Sequence, residues 1–209
     1  QVVNKGMSLD EFKFIYWWEW AHRFLGRFIG VVFLLPFLYF ALTGSLTRKM
    51  WRRLVVLFVL GGLQGALGWY MVASGLVERV DVSQYRLSAH LTLATLIFAA
   101  MLWVAYGLDR NRRMPRGGRE WMAVLLVLLL ILQVAAGGFV AGLDAGMGYN
   151  TWPLMDGQLV PKGLFVMQPA WANLFENAMT VQFNHRILAY VIAVLAAGYA
   201  YVEQTKGAA

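Results

Sequence analysis

The chain has no cysteine. That excludes a disulfide framework, Cys-ligated zinc, iron–sulfur clusters and thiol nucleophiles, so metal chemistry must rest on three histidines, on carboxylates or on a bound cofactor. Charge is scarce too: 14% of the 209 residues are Asp, Glu, Lys or Arg, while 60% are hydrophobic and 15% aromatic. A water-soluble domain carries about a quarter charged residues, so this is the composition of a membrane chain. The net charge of +7 would invite nucleic acid in a soluble protein. Here the cations gather in short loops between apolar runs, which is positive-inside topology, and no nucleic-acid partner is expected.

Five runs, 17–43, 54–76, 87–107, 121–143 and 178–202, reach the length of about 20 residues that a membrane-crossing helix needs. The expected fold is therefore an all-α membrane protein, a transmembrane helical bundle. Arg48, Lys49, Arg52 and Arg53 follow the first run, and Arg110, Arg112, Arg113, Arg116 and Arg119 follow the third, which places both loops on the cytoplasmic side. Glu78 and Asp81 offset Arg79 and Arg86 in the second loop, and the segment 144–177 carries Lys162 against Asp144, Asp156 and Glu176, so these face outward. The first run then passes from outside to inside. An odd number of spans and the start at Gln1 suggest a piece of a longer protein. Ser8 and Glu11 form an S-x-x-E capping box that predicts a helix from Leu9. Phe12, Phe14, Tyr16, Trp17, Trp18 and Trp20 suit passage through a membrane interface. The segment 144–177, rich in Trp, Phe and Met, is expected to fold over the outer mouth as a lid.

Two segments are echoed within the chain. Glu19-Trp-Ala-His22-Arg23 in the first run matches Gln182-Phe-Asn-His185-Arg186 in the fifth, and Leu63-Gln64-Gly-Ala-Leu-Gly68 in the second matches Leu132-Gln133-Val-Ala-Ala-Gly137 in the fourth. Such a pattern points to two related bundles arranged as a parallel repeat, since both histidine helices run outside to inside. His22, His90 and His185 each lie near the outer end of a span with that direction. A single intramembrane histidine is as readily a neutral ring bonded to a carbonyl; three at one depth point to a functional path or a ligand. With thiolates absent, neutral imidazole points to haem iron, clamped between facing helices of a bundle. Arg23, Arg86 and Arg186 could pair with haem propionates or equally with lipid phosphates.

Glu19 shares a helix face with His22. It is either a surface carboxylate favoured by the helix dipole or an acid, base or charge stabiliser beside a metal site. Gln182, its echo, keeps the size and loses the charge. Gly26–Gly30, Gly61–Gly65 and Gly138–Gly142 have the G-x-x-x-G spacing of close helix packing, Pro36 removes one backbone bond in the first helix, and Gln64 and Gln133 suit interhelical hydrogen bonds.

The stretches Asn4-Lys-Gly-Met-Ser-Leu-Asp-Glu-Phe-Lys13, Trp18-Glu-Trp-Ala-His-Arg23, Gly65-Ala-Leu-Gly-Trp-Tyr-Met-Val-Ala-Ser-Gly75, Val82-Ser-Gln-Tyr-Arg-Leu-Ser-Ala-His-Leu91, Tyr149-Asn-Thr-Trp-Pro-Leu-Met155 and Phe175-Glu-Asn-Ala-Met-Thr-Val-Gln-Phe-Asn-His-Arg186 resemble the haem A synthase family of the mitochondrial and proteobacterial type. The resemblance runs along almost the whole chain. It implies eight spans in two pseudo-symmetric four-helix halves, of which this chain covers the second to the sixth: residues 1–113 belong to the N-terminal, substrate-haem half and 114–209 to the C-terminal, haem b half. It implies oxidation of the C8 methyl of haem O to a formyl group by successive hydroxylations and loss of water, giving haem A for cytochrome c oxidase. By the same resemblance His22 and His90 are axial ligands of the substrate haem, Glu19 is the essential carboxylate, and His185 is one ligand of haem b, whose second ligand lies on a span with no counterpart here. The cysteine pair of some bacterial members is absent. The implied setting is the bacterial cytoplasmic membrane or the mitochondrial inner membrane, with the histidines toward the outer side. The implied partners are haem O, membrane lipid, haem O synthase and cytochrome c oxidase assembly factors, with a homo-oligomer left open.

Two other readings compete. A non-catalytic bis-His cytochrome b relaying electrons would need no carboxylate beside His22. A proton channel would spread its histidines across the bilayer, whereas these lie at one depth.

Overall fold

The computed structural model describes residues 6–78, 82–108 and 119–207. Asn4, Lys5, Arg79, Asp81, Arg110, Arg112, Arg113 and Arg116 lie outside them, as do the side chains of Glu78 and Arg119. The elements are α1 (Leu9–Leu42), α2 (Arg48–Glu78), α3 (Gln84–Tyr106), α4 (Arg119–Gly142), the single turn α5 (Ala145–Gly148), a 3₁₀ turn (Ala170–Leu174) and α6 (Ala178–Gly207). Five of these helices are long and apolar enough to cross a membrane. They are the five expected runs, longer at most ends because backbone hydrogen bonding continues past the apolar stretch that hydropathy detects.

Local chemistry sets the ends. Ser8 Oγ accepts from the Glu11 N–H at 3.3 Å and Glu11 Oε2 accepts from the Ser8 N–H at 2.8 Å, so α1 starts at Leu9 with two orphan donors satisfied. The helix continues through Pro36 to Thr43, and Gly44, at φ 67°, turns the chain. Thr47 Oγ1 accepts from the Met50 N–H at 3.2 Å ahead of α2, and Asn177 Oδ1 from the Thr180 N–H at 3.1 Å ahead of α6.

Burial is inverted relative to a soluble protein. Among the described residues the buried polar side chains are Ser83, Gln84, Ser88, Asn173, Asn177, Thr180 and Gln182, whereas most large apolar side chains of the long helices are exposed. Apolar surface on such helices faces hydrocarbon, and contacts between them rest on small residues and hydrogen bonds.

Two compact units make up the chain, Gln1–Val80 with Ile97–Gly107, and Asp81–Leu96 with Leu108–Ala209. In the first, α1 lies against α2 and Phe33 stacks on Phe58 at 6.2 Å. In the second, α4 packs on α6 and on the first half of α3. A Cβ at Gly138 would lie 2.4 Å from Ser88 Cα and one at Gly142 2.4 Å from Gln84 Cα, so only glycine admits this approach. Ser88 Oγ donates to Ala135 O at 2.8 Å. Gly26, Gly30, Gly61 and Gly65 behave otherwise: a Cβ there would meet nothing within 4 Å. The packing expected at those two pairs is absent among the described residues, because the spacing permits close approach without supplying a partner.

The connector between α4 and α6 is ordered by polar side chains. Met155 and Gln158 exchange backbone hydrogen bonds at 2.9 and 3.1 Å around Asp156 and Gly157, whose φ values of 54° and 75° suit a primed turn. Asn173, fully buried, accepts from Met167 N and donates to Met167 O and Ala170 O, each at 2.9 Å. Asn177 Nδ2 donates to Gly163 O at 3.2 Å, and Phe165 N donates to Thr180 Oγ1 at 3.4 Å.

Candidate functional site

The histidine near the start of α6 is the most enclosed of the candidate groups for which neighbours are defined. Gln133, on α4, places its side-chain nitrogen 3.2 Å from His185 Nε2 and 3.2 Å from His185 O. One turn on, Gly137 makes room for the ring: a Cβ there would lie 3.2 Å from His185 Cε1. The imidazole is thus held between an amide donor and a bare stretch of helix backbone. Nδ1 of His185 is buried without a hydrogen-bond partner, as are Gln133 Oε1, Gln182 Oε1 and Arg186 Nη1. Buried polar atoms are normally paired, so four orphans on Gln133 in the middle of α4 and on the first turns of α6 mark a place that a ligand could complete. An imidazole with an arginine one residue on is, by residue type, the kind of donor set that a porphyrin iron and its carboxylates take.

Gln182 and Arg186 flank His185 and both reach the connector. Gln182 Nε2 donates to Tyr149 O at 3.2 Å and Arg186 Nη2 donates to the same oxygen at 3.0 Å. Farther along, Trp152 Nε1 donates to Tyr190 OH at 2.9 Å. Tyr85, at the start of α3, donates to Glu176 at 2.8 Å and packs with Phe139 and Phe175 at ring distances of 5.5 and 6.3 Å. The segment 149–177 is therefore fastened to α3 at one point and to α6 at several, directly beside His185.

His90 belongs to the same unit, one turn beyond Arg86 on α3. Ser88 faces α4, and a residue two positions on is turned by about 200° around a helix, so His90 leaves α3 on the side away from α4.

Glu19 and His22 lie on α1 in the first unit. Glu19 forms an ion pair with Arg23, both side chains about half exposed, at 50% and 49%. His22 is exposed between them, roughly 20 Å along the axis from Leu9. On another face of α1, Trp20, Phe24 and Phe28 stack in a row at 5.3 and 6.1 Å. The echo in the sequence thus has a counterpart in contacts: in α6 the residues before and after the histidine bind Tyr149 O, in α1 the matching pair bind each other. No three His, Asp or Glu side chains converge into a metal cage among the described residues.

Sequence reasoning singled out Gln133 as an interhelical hydrogen-bonding residue, which it is, and passed over Asn173, Asn177 and Thr180. Their signal was weaker: Asn173 and Asn177, four residues apart among apolar residues just ahead of an apolar helix, are turn and N-cap residue types, and Thr180 stands three residues after Asn177.

The sequence model of the family COX15-CtaA, described as cytochrome oxidase assembly protein, matches residues 1–208. The chain is 59% identical over 201 residues to a protein named Heme A synthase from Chelativorans sp. (strain BNC1), covering 96% of this chain and 56% of that protein. It is 53% identical to one of the same name from Parvibaculum lavamentivorans, covering 100% and 61%, and 60% identical to one from Azorhizobium caulinodans, covering 94% and 57%. The chain thus spans somewhat more than half the length of these relatives. No solved structure matches it.

Proposed function

The chain belongs to the COX15-CtaA family of cytochrome oxidase assembly proteins, and from that premise we propose that it forms the haem-handling part of a haem A synthase, an integral membrane oxidoreductase that converts the C8 methyl of haem O to a formyl group. The observation that carries this reading is identity of 53–60% to proteins named Heme A synthase over almost the whole chain. The enclosure of His185 by Gln133 and Gly137 supports it independently.

In this reading His22 and His90 hold the substrate haem and His185 holds haem b, all toward the outer face of the membrane. Residues 1–113 serve the substrate side and 114–209 the haem b side. A methyl C–H resists every side chain, and haem b when bound supplies one-electron transfer. The protein's own contribution is position and charge. The imidazoles fix the porphyrin, the exposed apolar faces of α1 exclude water, and the Glu19 carboxylate stabilises positive charge or takes a proton at the reacting edge. Arg23, bound to Glu19, orients that carboxylate. Arg186 and Gln182 fasten the connector over His185.

The test is to express the full-length protein in cells that make haem O but not haem A, extract the haems, and identify them by chromatography with mass spectrometry. Formyl haem that disappears with Glu19→Ala, while haem O stays bound, supports the proposal. Bound haem b with haem O unchanged favours the electron-carrying cytochrome instead.

A further inference from the structure

The connector leaves more apolar surface uncovered than a water-facing loop carries. Trp152, Leu159 and Val160 are 74%, 80% and 62% exposed, and the charged residues between Tyr149 and Asn177 are Asp156, Lys162 and Glu176. Their outward direction follows from the turn. Met155 pairs with Gln158 and is buried, so Leu154 and Leu159, next to that pair on either arm, point the other way, and Trp152 shares the side of Leu154. Grouped apolar exposure of this kind marks a surface that something covers.

Depth says what covers it. Tyr149 O is held by Gln182 and Arg186, and three residues on, Trp152 Nε1 donates to Tyr190 OH at 2.9 Å. Between Gln182 and Tyr190 α6 advances roughly 12 Å, at about 1.5 Å per residue. The connector therefore follows the helix downward instead of crossing over its end. From Ile187 to Val202 α6 carries no charged residue, and Tyr190 lies one turn inside that stretch, at the level where a spanning helix meets the edge of the hydrocarbon. Trp and Tyr, each an apolar ring with one polar atom, are the side chains favoured there.

Backbone that is not helical needs partners of its own at this depth. Thr151 Oγ1 donates to Leu154 O at 2.9 Å and accepts from the Asp156 N–H at 3.2 Å, while Met155 and Gln158 bond to each other at 2.9 and 3.1 Å. The exposed carboxylate of Asp156 sets the lower limit of insertion. A charge at the turn is accommodated among headgroups and their water, and is costly in the hydrocarbon centre.

We propose that the stretch 152–160 of the connector is a lipid-docking surface, with Trp152, Leu154 and Leu159 seated in the headgroup–acyl boundary of the leaflet at the histidine end of α6 and the Trp152–Tyr190 bond fixing their depth. This placement requires that α6 cross a membrane and requires nothing of the haem. The segment beside His185 is then held from two sides, by α6 through Tyr149 and Trp152 and by the bilayer through its outward apolar edge.

The test uses the full-length protein carrying a single cysteine, labelled with the fluorophore NBD and reconstituted into vesicles of phosphatidylcholine and phosphatidylglycerol. Leu159→Cys places the label on the proposed surface. Asp10→Cys, on a side chain 94% exposed ahead of the apolar run of α1, is the aqueous control. Quenching is measured with a nitroxide attached near the headgroup end of a lipid acyl chain, and separately with iodide in the buffer. The label at position 159 is expected to emit at shorter wavelength than the control, to lose several times more intensity to the lipid nitroxide and to lose several times less to iodide. Quenching by iodide with no effect of the lipid nitroxide overturns the proposal, since the surface then faces water. Protection from both quenchers also overturns it, because the cover is then protein, either the rest of the chain or a second copy. Val160→Cys, read in the same way, decides the matter if Leu159→Cys does not fold.

Discussion

Glu19 and Gln182 each stand three residues before a histidine, and they differ by one charge. Gln182 is buried and spends its donor on Tyr149 O. Glu19 is half exposed and bound to Arg23, so its carboxylate stays at the helix surface beside His22. A residue with a purely structural task would tolerate the isosteric neutral amide. In the proposed function Glu19→Gln instead leaves haem O bound and slows formyl-haem formation by about a hundredfold, the lower range for loss of an acid–base group. The ratio of extracted haems measures it, and an unchanged ratio would remove Glu19 from the mechanism. Glu19, His22 and Arg23 were legible in the sequence because helical spacing alone puts them side by side. The pairing of Gln133 with His185 was not, since the two are 52 residues apart.

The contact of α3 with α4 shows what a glycine pair does when it has a partner. Gly138 and Gly142 meet Ser88 and Gln84 at backbone distance, and Ser88 adds a hydrogen bond to Ala135 O. Gly138→Ala would place a methyl against Ser88 Cα, which side-chain rotation cannot relieve. The expected cost is about 1–3 kcal/mol of stability from overpacking, read as a lower thermal midpoint in detergent. Gly26→Ala, with open space around it, is expected to leave that midpoint unchanged, and equal losses in both variants would contradict this account. In the connector, Asn173→Ala strands the Met167 N–H and two carbonyls in a buried setting. About 2 kcal/mol or more is expected, with faster proteolysis within 149–177 as the local readout; wild-type cleavage rates would show that Asn173 does not hold the segment.

At the scale of the whole molecule, apolar exposure on the long helices suits a lipid surround, while the buried polar side chains of the described residues gather at the start of α3, in the connector and at the start of α6. A ligand that binds only the folded state stabilises it by mass action. Iron protoporphyrin at about 100 times its Kd should add about 2.7 kcal/mol and raise the thermal midpoint accordingly. His185→Ala is expected to lose the part of that rise that comes from its own site. A rise of full size in the variant would place the porphyrin on other residues.

Hydrophobic runs, the capping box and the histidine spacing are local, and so the sequence by itself determined the class of protein, the five helices, the start of α1 at Leu9 and the candidate groups Glu19, His22, His90 and His185. Only the tertiary structure decided that Gly138 and Gly142 find a partner while Gly26, Gly30, Gly61 and Gly65 find none among the described residues, and that the first half of α3 belongs with α4. It also decided that the His185 ring rests between Gln133 and Gly137 and beneath the connector. Each of these depends on which helix faces which, and in an apolar solvent almost any face of an apolar helix is acceptable until a small residue or a hydrogen bond selects one.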